Sequence, residues 1–180
     1  MPPEYLTVSW DQLHRDARTL AQRLSTLGPF SGIVAVSRGG LIPAGIIARS
    51  LGCRVIETVS VVTYEGETRG EPKITKFPSA AGDGAGFVII DDLVDTGATA
   101  RQVRALLPRA RLAAVYAKPA GKQMADIFVT EVSQDTWILL PWDSEPDRIV
   151  PSPPPPDRPL LLMDAQTPRL GRGPSGWAEP

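Results

Sequence analysis

The sequence predicts an α/β fold, a mainly parallel sheet flanked by helices, on three observations. Short apolar runs without polar alternation recur, as at Ile33-Val34-Ala35-Val36 and Phe87-Val88-Ile89-Ile90. Such runs read as strands buried on both faces, the condition of a parallel sheet. Between them lie segments with helical spacing and helix start and stop signals, giving the strand-helix alternation of α/β proteins. The polar and Gly-containing stretches sit at the carboxyl ends of the strands, where ligands bind in such sheets.

Taken in order, Ser9 followed three residues later by Gln12 is a capping-box pattern. Trp10, Leu13, His14, Ala17, Leu20, Ala21 and Leu24 then recur at helical spacing, which predicts an amphipathic helix over 9–26, ended near Gly28-Pro29. His14, the only histidine, falls on or beside the apolar stripe and reads as a helix residue. The strand at 33–36 runs into Ser37-Arg38-Gly39-Gly40, and a helix over 41–51 follows, with Pro43 in its first turn and Gly52 just past its end. Val55 to Val62 is the next strand, and the polar residues 65–76 read as a long loop. The strand at 87–90 runs into Asp91-Asp92-Leu93-Val94-Asp95-Thr96-Gly97-Ala98-Thr99. A helix from about Thr99 to Leu107 is stopped by Pro108. Leu112 to Ala117 is a strand with Lys118-Pro119 at its end, and Ile127 to Val132 is a further candidate.

The chain has 180 residues, a one-domain length that buries a core without disulfide or structural metal. Its net charge of −1 supplies no bulk basic field for nucleic acid or an acidic membrane. Cys53 is the one cysteine, so no intramolecular disulfide forms; its apolar surroundings make it a core residue, and a reducing interior is expected. The N-terminal residues show no secretory pattern, and no apolar run approaches the ~20 residues that span a bilayer. Of the 19 prolines, nine fall in residues 151–180, a stretch expected to be extended or disordered. The expected folded domain is therefore 1–150, with a Pro-rich tail 151–180 whose one apolar cluster is Leu160-Leu161-Leu162-Met163.

The strongest chemical signal is the run 88–99. An apolar strand delivers two carboxylates, Asp91 and Asp92, and a loop of small hydroxyl and Gly residues then opens a helix. A helix N-terminus offers free N–H groups to an anion, and Thr96, Gly97 and Thr99 suit a phosphate cradle. Three carboxylates beside such a cradle would repel its ligand unless a cation or sugar hydroxyls met them, and paired carboxylates suit both Mg²⁺ and ribose.

Residues 91–99 resemble the phosphoribosyl pyrophosphate signature of the type I phosphoribosyltransferases, and the chain is most similar to the bacterial xanthine-guanine members. The similarity extends from Tyr5 to about Asp143, through 7–11, 35–41, 89–97, Ala117-Lys118-Pro119-Ala120-Gly121 and Gln134-Asp135-Thr136-Trp137-Ile138. It implies the type I phosphoribosyltransferase fold with a small hood region. It also implies a reaction, displacement of pyrophosphate from phosphoribosyl pyrophosphate by a purine nitrogen with inversion. The bases implied are xanthine and guanine, with hypoxanthine weaker, giving XMP or GMP in purine salvage with Mg²⁺. A cytoplasmic homo-oligomer, a tetramer by this likeness, is expected, with peripheral association on the cytoplasmic face of the inner membrane as a further expectation.

The same resemblance assigns roles. Ser37, Arg38, Gly39 and Gly40 would take the pyrophosphate, in a loop where the family often has a non-proline cis peptide, and Arg69 would close over it, with Lys73 or Lys76 able to share that task. Asp91 and Asp92 would hold the ribose hydroxyls and the Mg²⁺ environment, with Asp92 the firmer metal candidate. Leu93, Val94, Asp95, Thr96, Gly97, Ala98 and Thr99 form the phosphoribosyl-binding run. Asp95 would be the catalytic residue beside the five-membered ring of the purine. Lys118 would donate to the 6-oxo group, Trp137 would stack on the base, and backbone at Trp137 and Ile138 would read the edge bearing the 2-substituent. Asp143 would help orient the base through metal or water. Ala98 stands where close relatives commonly have Gly, so its backbone must avoid positive φ. Two other readings carry the same residues: a hypoxanthine-guanine transferase, and a nucleotide-sensing RNA-binding regulator on this fold. Against the second stand the net charge of −1 and the absence of a Lys/Arg cluster with interleaved aromatics outside the active-site ends.

Overall fold

A computed structural model describes residues 4–62 and 72–143. In chain order the elements are β1 (Glu4–Thr7), α1 (Trp10–Ser25), β2 (Gly32–Ser37), α2 (Leu41–Leu51), β3 (Ile56–Val62), β4 (Lys73–Lys76), β5 (Phe87–Val94), α3 (Ala98–Leu106), β6 (Arg111–Ala117), β7 (Ile127–Glu131) and β8 (Thr136–Leu139). Six strands form one sheet in the order β4-β3-β2-β5-β6-β7. All its neighbours pair in parallel except β4, which runs antiparallel on the edge.

Alternation inside the apolar runs explains the layers. Ile33, Ala35, Val88, Ile90, Ala113 and Val115 face a core shared with α1 and α2. Val34, Val36, Ile89, Leu112 and Ala114 face a second core, against Val103 and Leu107 at α3. Both sets are fully or nearly fully buried, so no polar side could alternate with them. Helix α1 begins as its capping pattern predicts, with Ser9 Oγ accepting from Gln12 N at 3.2 Å. Helix α2 ends at Gly52 in the left-handed region, φ 70°.

The strand order sets the site. From β2 the chain moves outward to β3, whereas β5, on the other side of β2, leads the opposite way to β6 and β7. The switch point lies between β2 and β5, and their carboxyl ends carry Ser37-Arg38-Gly39-Gly40 and Asp91 to Thr99.

Two expectations need correction. Residues 73–76 are a strand, not loop, because Val61 and Val62 of β3 offer them an edge to pair with. Strand β5 does not stop before its acids: it pairs with β6 at Asp91↔Ala114, Leu93↔Tyr116 and Val94↔Ala117. A ladder needs backbone groups, not apolar side chains, so the carboxylates do not end it. The end residues 4–7 and 136–139, unassigned from the sequence, pair in parallel as a separate two-stranded sheet, which corresponds to the expected hood. The proline-rich tail 151–180 lies outside the described residues.

Off the site, Tyr116 at the end of β6 is buried and donates its hydroxyl to Asp16 of α1 at 2.7 Å, while Gln12 Nε2 donates to the other Asp16 oxygen at 2.8 Å. Burial, with the neighbouring Asp16 carboxylate, holds the Tyr116 phenol well above its ordinary range. Cys53 is half-buried, and desolvation raises its thiol, in keeping with the core reading.

Candidate active site

The loop after β2 is built for close approach. The Ser37-Arg38 peptide is cis, as the resemblance implies. Ser37 Oγ lies 2.8 Å from Ser60 Oγ of β3, which fixes the start of the loop. A Cβ on Gly39 would run into the Asp92 carboxylate, and one on Gly40 would meet Val36 O at 2.7 Å. Only glycine lets this loop lie flat against β5. Arg38 is exposed and forms no ion pair among the described residues.

Across from it, Asp91 is 7% exposed and its Oδ1 accepts from Asp92 N at 3.0 Å, while Asp92 Oδ1 accepts from Leu93 N at 2.8 Å. Desolvation pushes the Asp91 carboxyl well above the usual carboxylate range, with the Asp92 charge and a hydrogen bond between the two adding to it. Asp92 is also raised, first by desolvation, and the charge of Asp143 contributes. Asp143, whose Oδ2 accepts from Leu140 N at 3.1 Å, sits in a turn whose Trp142 packs on Trp10 with ring centroids 6.0 Å apart. Neither Asp91 nor Asp92 has an ion-pair partner among the described residues.

Beyond β5 the chain turns through Asp95 and Thr96 into α3. Gly97 takes the cap position at φ 78°, and Ala98 is the first helical residue. The left-handed residue of the cradle is thus Gly97, and Ala98 adopts the ordinary helical backbone that its Cβ demands. No side chain caps this helix and no acid stands in its first turn. A cavity of about 100 Å³ opens here, lined by Asp91, Leu93, Val94 and residues 95–100. It faces the free helix N–H groups, the arrangement that suits a phosphoryl group.

Lys118, after β6, is buried and turns its ammonium inward: Nζ donates to Asp95 Oδ2 at 3.3 Å and to the Gln134 carbonyl at 3.4 Å. The structure therefore brings Lys118 and Asp95 into one ion pair, which spacing in the sequence could not show. Gln134 is the residue that sequence reasoning missed as part of the site. Its side chain donates to Asp95 Oδ1 at 2.8 Å and accepts from Ala120 N at 2.9 Å. The one signal was its place at the head of the 134–138 motif, three residues before Trp137.

Trp137 is 62% exposed on β8, so it is not a core residue, whereas Ile138 is buried. Arg69 lies outside the described residues. Lys73 is exposed, and Lys76 donates to Thr58 O at 3.0 Å, which ties it to β3 rather than to the loop after β2.

At the switch point of this mainly parallel sheet, a helix start without a side-chain cap thus lies beside paired carboxylates and a glycine loop. The Phosphoribosyl transferase domain model matches residues 9–148, and the chain belongs to that family. Within it, the chain is 62% identical over 150 residues to the xanthine-guanine phosphoribosyltransferase of Gluconobacter oxydans (strain 621H), covering 82% of this chain and 89% of that protein. It is 54% identical over 145 residues to the enzyme of the same name from Nitratidesulfovibrio vulgaris (strain DP4), covering 80% and 88%. Among solved structures, the purine phosphoribosyltransferase of Pyrococcus horikoshii superposes with a TM-score of 0.68 at 30% identity, over 81% of this chain and 97% of that one.

Proposed function

We infer that this chain transfers the 5-phosphoribosyl group from phosphoribosyl pyrophosphate to xanthine or guanine, and more weakly to hypoxanthine, releasing pyrophosphate. The observation that carries the reading is the Asp95-Lys118 pair beside the phosphate cradle. It sets a carboxylate and a buried ammonium next to the place where a 5′-phosphate would anchor the sugar. The 53–62% identity to xanthine-guanine relatives supports the choice of bases.

In this reading the free α3 N-terminus with Thr96 and Thr99 takes the 5′-phosphate, and the Ser37-Gly40 loop with Arg38 takes the pyrophosphate. Asp91 and Asp92 receive the ribose hydroxyls. The purine enters between the loop after β6 and Trp137, which stacks on its face, while backbone at Trp137 and Ile138 reads the 2-substituent and Asp143 helps to orient the base. Lys118 exchanges its contact with Asp95 for the 6-oxo oxygen, a group adenine lacks. Asp95, released from the ammonium, accepts the proton that the five-membered ring loses and stabilises positive charge at the anomeric carbon. The purine nitrogen bonds to that carbon as the bond to the pyrophosphate oxygen breaks.

Mg²⁺ fits the donors present. Asp91 and Asp92 are desolvated neighbours with no ion-pair partner among the described residues, so they would supply hard oxygen ligands. That is the pattern of an ion held by one or two carboxylates, with water and phosphate completing its shell. Asp92, and less directly Asp91, would hold it, and the charge it supplies offsets that of the pyrophosphate. No helix among the described residues is long and apolar enough to cross a membrane. Cytoplasmic placement, peripheral membrane contact, a tetrameric assembly and a folded domain over 1–150 complete the proposal. Initial rates with each purine, phosphoribosyl pyrophosphate and Mg²⁺ test it: turnover of xanthine and guanine is expected, and no turnover with either base refutes it.

A further inference from the structure

Asp95 is held on both oxygens. Lys118 donates to Oδ2, and Gln134 Nε2 donates to Oδ1 at the shorter distance, 2.8 Å against 3.3 Å. The orientation of the Gln134 amide is fixed from its far side. The Ala120 backbone N–H can only donate, so Oε1 must face it and the NH₂ group must face Asp95. Ala120 belongs to the loop wedged against the phosphate cradle, where a Cβ on Gly121 would meet Gly97 N at 2.7 Å. One side chain from the connection between β7 and β8 thus joins the loops after β5 and β6.

We propose that Gln134 is a positioning residue that holds the Asp95 carboxylate toward the reacting ring once Lys118 has moved to the base. This rests on the function proposed above. When the ammonium leaves Oδ2, Gln134 becomes the one side-chain donor to Asp95 among the described residues. As a neutral donor it orients the carboxylate without cancelling its charge, which must remain available for the proton and the developing cation. The same amide, by accepting from Ala120, keeps the loop that carries Lys118 in register with the loop that carries Asp95.

Gln134→Glu separates this role from simple bracing. Glutamate still accepts from Ala120 N, but it cannot donate to Asp95 and sets a like charge beside it. With guanine as the base, kcat is expected to fall roughly ten- to a hundredfold, the range for losing a hydrogen bond to a charged group, while KM for phosphoribosyl pyrophosphate stays within about twofold. Gln134→Ala should lose a similar amount with a further drop in the unfolding temperature from the freed Ala120 N–H. In an Asp95→Ala background, Gln134→Glu should cost nothing more, since the group it positions is gone. Gln134→Glu at wild-type kcat, or a full effect persisting without Asp95, overturns the proposal while leaving the transferase reading intact. A wild-type protein inactive on every purine overturns both.

Discussion

Lys118→Met isolates the ammonium from its stem. The Lys118 side chain is 8% exposed, and methionine replaces its hydrocarbon part without opening a cavity. The ammonium makes two contacts at 3.3 and 3.4 Å, both at the long limit of a hydrogen bond, so little holds it against transfer to a better acceptor. Contact with a purine 6-oxo oxygen is a hydrogen bond from a charged donor in a shielded site, worth about 1.5–3 kcal/mol, or roughly ten- to a hundredfold and somewhat more in kcat/KM. The assay is initial rate against guanine at saturating phosphoribosyl pyrophosphate, with the complementary titration and an unfolding curve. The loss should fall mainly on KM for guanine, KM for phosphoribosyl pyrophosphate should stay within about twofold, and the gap between guanine and adenine should narrow. An unchanged kcat/KM for guanine, or a loss shared equally by both substrates, would refute the assignment of Lys118 to the base.

Asp95→Ala should lower kcat by about 10²–10⁴, the usual scale of general acid-base assistance, while phosphoribosyl pyrophosphate still binds, as calorimetry would report. Gly97→Ala sets a Cβ at φ 78° against Met124 Cγ at 2.8 Å; the strain of about 1–2 kcal/mol, with displaced helix N–H groups, should raise KM for phosphoribosyl pyrophosphate more than it changes KM for guanine. Tyr116→Phe removes a buried donor to Asp16 and should cost about 1.5–3 kcal/mol, lowering Tm by roughly 2–4 °C for each, with substrate KM values unmoved. The Tyr116 phenol is raised in the folded state, so its contribution to stability is complete below an unfolded pKa of about 10 and is lost as pH rises above that value. Denaturant titrations from pH 8 to 11 should therefore show a steeper alkaline loss in the wild type than in Tyr116→Phe.

What the sequence discloses follows from how locally each feature is encoded. Ile33–Val36 and Phe87–Ile90 are legible because a strand covered on both faces must be apolar at every position, and Gly97 to Thr99 because a helix start needs small and hydroxyl residues nearby. Strands β1 and β8 are not legible: β1 is exposed at all four positions, β8 alternates over only four residues with Thr136 buried and Trp137 exposed, and the two pair across some 130 residues, as at Glu4↔Thr136. The continuation of β5 through Asp91 and Asp92 is hidden for the opposite reason, since the carboxylates mask a backbone ladder set by β6. The Asp95-Lys118 contact joins the ends of neighbouring strands and follows from sheet order, which residue spacing does not contain. Gln134 is the extreme case, a polar loop residue whose significance lies wholly in the two loops it touches.

The central claim is a 6-oxopurine phosphoribosyltransferase whose base is selected by Lys118 beside Asp95. The most direct test is one set of initial rates for xanthine, guanine, hypoxanthine and adenine, each with phosphoribosyl pyrophosphate and Mg²⁺. The proposed function predicts high kcat/KM for xanthine and guanine, a lower value for hypoxanthine and none measurable for adenine. Efficient turnover of adenine, or highest efficiency with hypoxanthine and none with xanthine, would contradict it.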